Sequence, residues 1–203
     1  MASPSPLPPR SGGTPRRELR PDAAYRASRA AGLPAVPPPA AGVLARALLD
    51  AATLVERERL GSALVDTLCR AFRLPPCCLV IADRPQIHRR DEAGRLVERT
   101  YGTYRCRFPG GGALPDRCRI RIYHRTAVRE QVLGPRAFLQ TLLHEWGHHL
   151  DFAGLRLDRS PHTQGFYARV ARLGELLGVA IGSPPSSGAP DPTPLRGGGS
   201  PPE

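Results

Sequence analysis

One stretch of this sequence must be buried and polar at once. Between residues 135 and 152, Phe138, Leu139, Leu142, Leu143, Trp146 and Leu150 recur at helical spacing, and His144, Glu145, His148 and Asp151 sit among them. The apolar period commits the segment to a helix whose stripe faces a core. Pro135 is suited to open that helix, because the N–H it lacks would have no helical partner there. Polar groups on such a helix need partners or solvent, so the rest of the chain has to build a polar site beside it.

His144-Glu145-Trp146-Gly147-His148 has the form H-E-x-x-H. Residues four apart lie about one turn apart on one helix face, so both imidazoles reach a single metal ion. Glu145 stands beside them without being a ligand. It is placed to take a proton from metal-bound water and return it to a leaving amine. Zinc suits imidazole ligands and brings the pKa of bound water to about 7. Gly147 permits close backbone packing. The competing interpretation is a solvated helix face, and the surrounding leucines argue against it.

A catalytic zinc takes a third protein ligand. His162, separated from His148 by thirteen residues, is the first candidate. Asp151 shares the face of His144 and His148 and is the rival, or else it orients a histidine from outside the ligand set. His149 points about 100° away from His148, and Asp158 is a weaker candidate still. His88 and His124 fall in strand regions and read as surface histidines.

Around this helix the chain divides into three parts. Residues 1–40, rich in Pro, Ser, Gly and Arg, read as a disordered tail, and residues 183–203 as a second. Residues 41–182 form the domain. Helical spacing runs over 43–73, with Gly61 a possible break and Pro75-Pro76 as the stop. Cys78 to Ala82 reads as a buried strand, and 86–107 as a hairpin turning at Asp91-Glu92-Ala93-Gly94. Pro109-Gly110-Gly111-Gly112 is a loop. Cys118 to Tyr123 alternates, with Cys118, Ile120 and Ile122 on one face and Arg119, Arg121 and Tyr123 on the other. Ser160-Pro161 has the form of a helix start, Ser as N-cap, for a final helix carrying Phe166, Val170, Leu173, Leu176 and Leu177. Helix, strands, helix, helix is the order of an α+β domain.

Charge and cysteine content narrow the partners. The formal net charge is +11, and residues 84–136 hold thirteen arginines against five acids. Such a concentration points to a polyanion, DNA among them. All 29 basic residues are arginine, and neither Lys nor Asn occurs. Both missing residues have AT-rich codons, so codon usage accounts for part of the excess. The five cysteines contain no C-x-x-C pair, and so make neither a zinc ribbon nor a disulfide framework. Cys106 and Cys118 read as reduced, partly buried thiols on neighbouring strands. No apolar run approaches the ~20 residues of a membrane span, and no secretory h-region is present. The cytoplasm is the default compartment.

From Cys118 to Leu173 the sequence resembles an SprT-like zinc metallopeptidase domain. Cys118-Arg119-Ile120-Arg121-Ile122 is similar to that family's strand before the active helix, and Thr141-Leu142-Leu143-His144-Glu145 to its helix entry. His162-Thr163-Gln164-Gly165-Phe166 stands where the family has a His-Gly pair followed by Phe. The resemblance implies a small zincin-like fold, with a short, mostly antiparallel sheet packed on the H-E-x-x-H helix. It implies Zn2+ held by His144, His148 and His162, with Glu145 as the catalytic residue. It also implies a protein or peptide substrate, paired in extended form with a free edge of strand 118–123, and a link to proteins on DNA. Two other functions compete: a zinc-containing nucleic-acid-binding module with little or no hydrolysis, and another hydrolase built on the same helix. A deformylase is disfavoured, since no E-G-C-L-S-like segment is present.

Overall fold

A computed structural model of the chain describes residues 21–108, 115–180 and 195–196. The elements are α1 (Pro21–Ala30), α2 (Pro39–Asp50), α3 (Leu54–Ala71), β1 (Cys77–Pro85), β2 (Ile87–Arg90), β3 (Leu96–Thr100), β4 (Gly102–Phe108), β5 (Asp116–Arg125), α4 (Pro135–His149), α5 (Gln164–Leu176) and β6 (Leu195–Arg196). The fold is α+β. No helix among the described residues is long and apolar enough to cross a membrane.

The main sheet has the order β1-β5-β4-β6, and β2 and β3 form a separate antiparallel hairpin. β5 runs parallel to β1 and antiparallel to β4, while β6 adds parallel to β4 at Arg107 and Phe108. The sheet is therefore mixed, not mostly antiparallel. β5 also lies inside it. The expected free edge at 118–123 is absent, because Cys118 to Tyr123 pairs with β1 and Arg119 to Ile122 with β4. The alternating pattern of β5 was consistent with either position. Among the described residues, β1 is an edge strand of this sheet, and β4 is open on its outer side from Gly102 to Cys106.

Helices α3 and α4 pack on the sheet face that carries Cys77, Leu79, Cys118, Ile120, Ile122 and Tyr104. The core joins Leu64, Leu68, Phe138, Leu142, Leu143 and Trp146 to them, all fully or nearly fully buried. Each large apolar side chain so buried contributes about 1.5–3 kcal/mol. The alternation of β5 fails at its C-terminal end, where Tyr123 and His124 are both buried. Tyr123 lies beneath the Arg84 guanidinium, which is 5.2 Å from its ring centroid, and His124, being buried, is not the surface residue expected.

The helix break falls at 51–53, not at Gly61. Thr53 starts α3 with a capping box: its hydroxyl accepts from Glu56 N–H at 3.2 Å, and the Glu56 carboxylate accepts from Thr53 N–H at 3.0 Å. Both bonds satisfy donors that a helix start otherwise leaves bare. Gly61 is needed in mid-helix for another reason, since a Cβ there would lie 2.6 Å from Leu79 Cδ2.

Residues 21–40 depart most from expectation. Their composition suggested disorder, yet they form α1, an extended connection and the start of α2. α1 packs on α5 across Gly165, where a Cβ would lie 2.5 Å from the Arg29 carbonyl oxygen. Residues 1–20 lie outside the described residues, as do Pro109–Gly112 and all of 183–203 except β6.

Candidate metal centre

Helix α4 begins at Pro135 and delivers His144, Glu145 and His148, after which one turn of π-helix (Leu150–Gly154) reverses the chain. Gly147 sits where α5 crosses α4, and a Cβ there would lie 2.9 Å from Val170 Cγ2. That close crossing brings the segment before α5 over the histidines. His162 lies in this segment and not in the first turn of α5, because Thr163, not Ser160, is the N-cap and accepts from Phe166 N–H at 3.1 Å.

The three histidines converge. His162 Nε2 lies 3.0 Å from His144 Nε2 and 3.1 Å from His148 Nε2, and all three ligand atoms lie within 4.8 Å of one another. A tetrahedral metal with nitrogen bonds of about 2.0–2.1 Å spaces its ligands about 3.3–3.4 Å apart, so the triad can hold a metal ion with small adjustments. Aromatic rings fix the imidazoles: Phe166 stacks on His148 with centroids 4.6 Å apart, and Tyr167 on His162 at 5.9 Å. Burial, then the neighbouring His162, pushes His144 down to about 3. Burial, then His144 and His162, holds His148 well below the usual range. Both are thus neutral near pH 7, the state that binds metals.

The tautomer of His148 follows from its partners. Ser160 Oγ donates to Asp151 Oδ2 at 2.8 Å and therefore accepts from His148 Nδ1, 2.7 Å away. The ring proton sits on Nδ1, and Nε2 presents a lone pair to the centre. His144 Nδ1 is buried with no hydrogen-bond partner among the described residues, and none of these holds that ring's proton in the same way.

Asp151 is not a member of the triad. It pairs with Arg169 at 2.7 Å, both side chains being buried. Burial raises its carboxyl above the usual range, against the opposing effects of Arg169 and Ser160. It orients His148 through Ser160. His149 faces the other way: its Nε2 donates to the Pro75 carbonyl and its Nδ1 accepts from Tyr104 OH, each at 3.0 Å. Asp158 is exposed and outside the triad, and His88 lies on the exposed strand β2.

Glu145 is buried against β4. Burial raises its carboxyl to about 8, opposed by a hydrogen bond to the Tyr104 backbone; a dication nearby acts in the opposing direction too. Gly102 makes the space, since a Cβ there would lie 2.9 Å from Glu145 Cγ and Oε1.

Sequence reasoning missed Ser160, Arg169, Ser28, Tyr104 and Gly102. One of these had a signal: Arg169 falls on the apolar stripe of α5 between Phe166 and Leu173, where a cation needs a buried partner. Comparison of the chain with family models, with curated proteins and with solved structures finds no match.

Proposed function

We propose that this chain is a zinc-dependent peptidase of the SprT-like, zincin-like kind, with His144, His148 and His162 as ligands and Glu145 as general base. The observation that carries this reading is the convergence of three imidazole nitrogens beside a buried carboxylate from the same helix. A binding or structural zinc has no use for such a carboxylate. The donor set fits the metal, being three imidazoles, with a fourth position for water or substrate.

A zinc ion held by His144, His148 and His162 would supply a water of pKa about 7 and a Lewis acid for a scissile carbonyl. Glu145 removes the proton from a water as its oxygen adds to the carbonyl carbon. The proton then passes from Glu145 to the amide nitrogen as the C–N bond breaks. The open side of β4 runs past Glu145, and its backbone can pair with an extended substrate chain. β4 takes the part that sequence reasoning gave to β5.

The test is hydrolysis of an unfolded protein substrate by the full chain. Cleavage should vanish on chelation and return with stoichiometric zinc. A zinc-loaded chain that cleaves no offered protein would count against the reading. A second expectation concerns Gly102. Gly102→Ala should displace Glu145 while leaving the ligands in place, so kcat falls about 10²-fold with zinc affinity unchanged. Equal losses in both would mean that the substitution simply damages the fold.

One observation favours a nucleic-acid surface in addition. On the sheet face away from α4, Arg105 of β4 stands directly opposite Arg119 of β5, and Thr103 opposite Arg121. Like charges so placed repel, and among the described residues no acidic side chain pairs with these three arginines. A polyanion would relieve the repulsion. In the Arg105→Ala, Arg119→Ala, Arg121→Ala triple variant, the salt slope of DNA affinity should then flatten by about 0.9 for each phosphate no longer neutralised. An unchanged slope would remove this face from the account.

A further inference from the structure

We infer that α1 sets the metal affinity of the three-histidine centre, with Arg169 as the positioning residue through which it acts; this rests on the metal-site reading above. A continuous set of polar contacts joins α1 to a ligand. One terminal nitrogen of Arg169 donates to the carbonyls of Ser28 at 2.6 Å and Ala31 at 2.9 Å, at the C-terminal end of α1. The other donates to Asp151 Oδ1 at 2.7 Å and Ser28 Oγ at 3.3 Å. The opposite oxygen of Asp151 receives the Ser160 hydroxyl, and Ser160 receives His148 Nδ1–H. Ser28, Arg169, Asp151, Ser160 and His148 are all buried. A second path ends beside His162: Ser28 Oγ lies 3.0 Å from Thr163 Oγ1, the N-cap of α5.

α1 itself is weakly anchored by apolar surface. Ser28 is its buried residue among the described side chains, and Tyr25 is 50% exposed. A helix held by a few polar contacts belongs to the part of a fold that opens most readily. When α1 leaves, the donors of Arg169 and its pair with Asp151 meet water. A guanidinium–carboxylate pair in water is weak, and Ser160 is no longer held as an acceptor. His148 is then free to carry its proton on Nε2, a tautomer that cannot bind metal there. The apparent dissociation constant rises in proportion as the competent fraction falls. Loss of such outer partners costs about 10–100-fold in metal affinity. The N-terminal segment is thereby a handle on the centre, because anything that draws α1 away weakens the hold on the metal.

The test uses the full chain with a protease recognition sequence inserted after Gly32, which is exposed and has open space at its Cα. Zinc affinity is measured by chelator competition before cleavage, and again after cleavage and removal of the N-terminal fragment. About a tenfold weakening is expected, with the circular dichroism retained. The ¹⁵N shifts of His148 in the zinc-free protein should move from the Nδ1–H towards the Nε2–H pattern, which a purely structural role for α1 would not produce. Gly165→Ala, whose methyl meets the α1 backbone, carries the same test in the uncut chain should the cut one lose ellipticity. Unchanged affinity and unchanged shifts in whichever of these stays folded overturn the inference. A wild-type chain that takes up no zinc defeats the underlying metal reading instead, before α1 is tested.

Discussion

Glu145→Gln should leave zinc uptake intact and reduce peptide hydrolysis by about 10²–10⁴-fold, the usual contribution of a positioned general base. The amide has the shape of the carboxylic acid and can still accept from the Tyr104 backbone. It fits the pocket that Gly102 leaves open. What it lacks is the capacity to take a proton from water and deliver it to the departing amine. Burial already disfavours the charged carboxylate, whose pKa rises to about 8, so a neutral replacement is not expected to destabilise the chain. Two measurements on one preparation decide the matter: zinc content by mass spectrometry, and initial rates on a denatured protein substrate. Full zinc with full activity would exclude Glu145 from the chemistry. Loss of zinc would mean that the carboxylate supports the ligands instead of the reaction.

The H-E-x-x-H helix was legible because polar residues set among a Leu-rich period need partners. His144, Glu145 and His148 follow from a single helix, and helix periodicity is written in consecutive residues. His162 was legible from the length of the return after His148, and the close crossing at Gly147 explains why that return reaches the other two histidines. Ser160 followed by Pro161 has the form of a cap, yet its hydroxyl is engaged by His148 and Asp151, and Thr163 caps α5 in its place. The hairpin at 86–100 was legible from its turn residues, but its return stops at Thr100, and the order of the main sheet, which β4 joins, was not legible. The alternation of Cys118, Ile120 and Ile122 reports which face of β5 is buried, but carries nothing about how many neighbours the strand has. Helix α1 was hidden for a related reason. Its sequence looks like tail because it buries a serine instead of a leucine stripe, and what orders it is an arginine about 140 residues later. Arg169 and Asp151 are each anomalous on an apolar face, and pairing the two anomalies would have located their contact.

Zinc itself should stabilise the fold, and His162→Ala should remove most of that effect. A metal that binds the native chain and not the unfolded one adds about 4 kcal/mol at a free concentration 1,000 times its dissociation constant. For a chain of this size each kcal/mol shifts the melting midpoint by about 2–4 °C, so a rise of about 8–16 °C is expected in the wild type. Structural zinc sites with four ligands bind with roughly 10–16 kcal/mol, which suggests about 3 kcal/mol per ligand, or 10²–10³-fold in affinity. At the same zinc concentration His162→Ala should therefore retain only about 0.4–1.4 kcal/mol of stabilisation. The zinc-free stability should change little, since His162 is half-buried in a loop before α5. Asp151→Asn provides the contrast. It leaves the triad whole but places Arg169 in a buried site without its counter-charge, so the zinc-free protein itself should lose stability, by up to about 3–5 kcal/mol. Equal zinc-induced shifts in wild type and His162→Ala would remove His162 from the ligand set. Asp151, already committed to Arg169 and Ser160, would not be its replacement without giving up those partners.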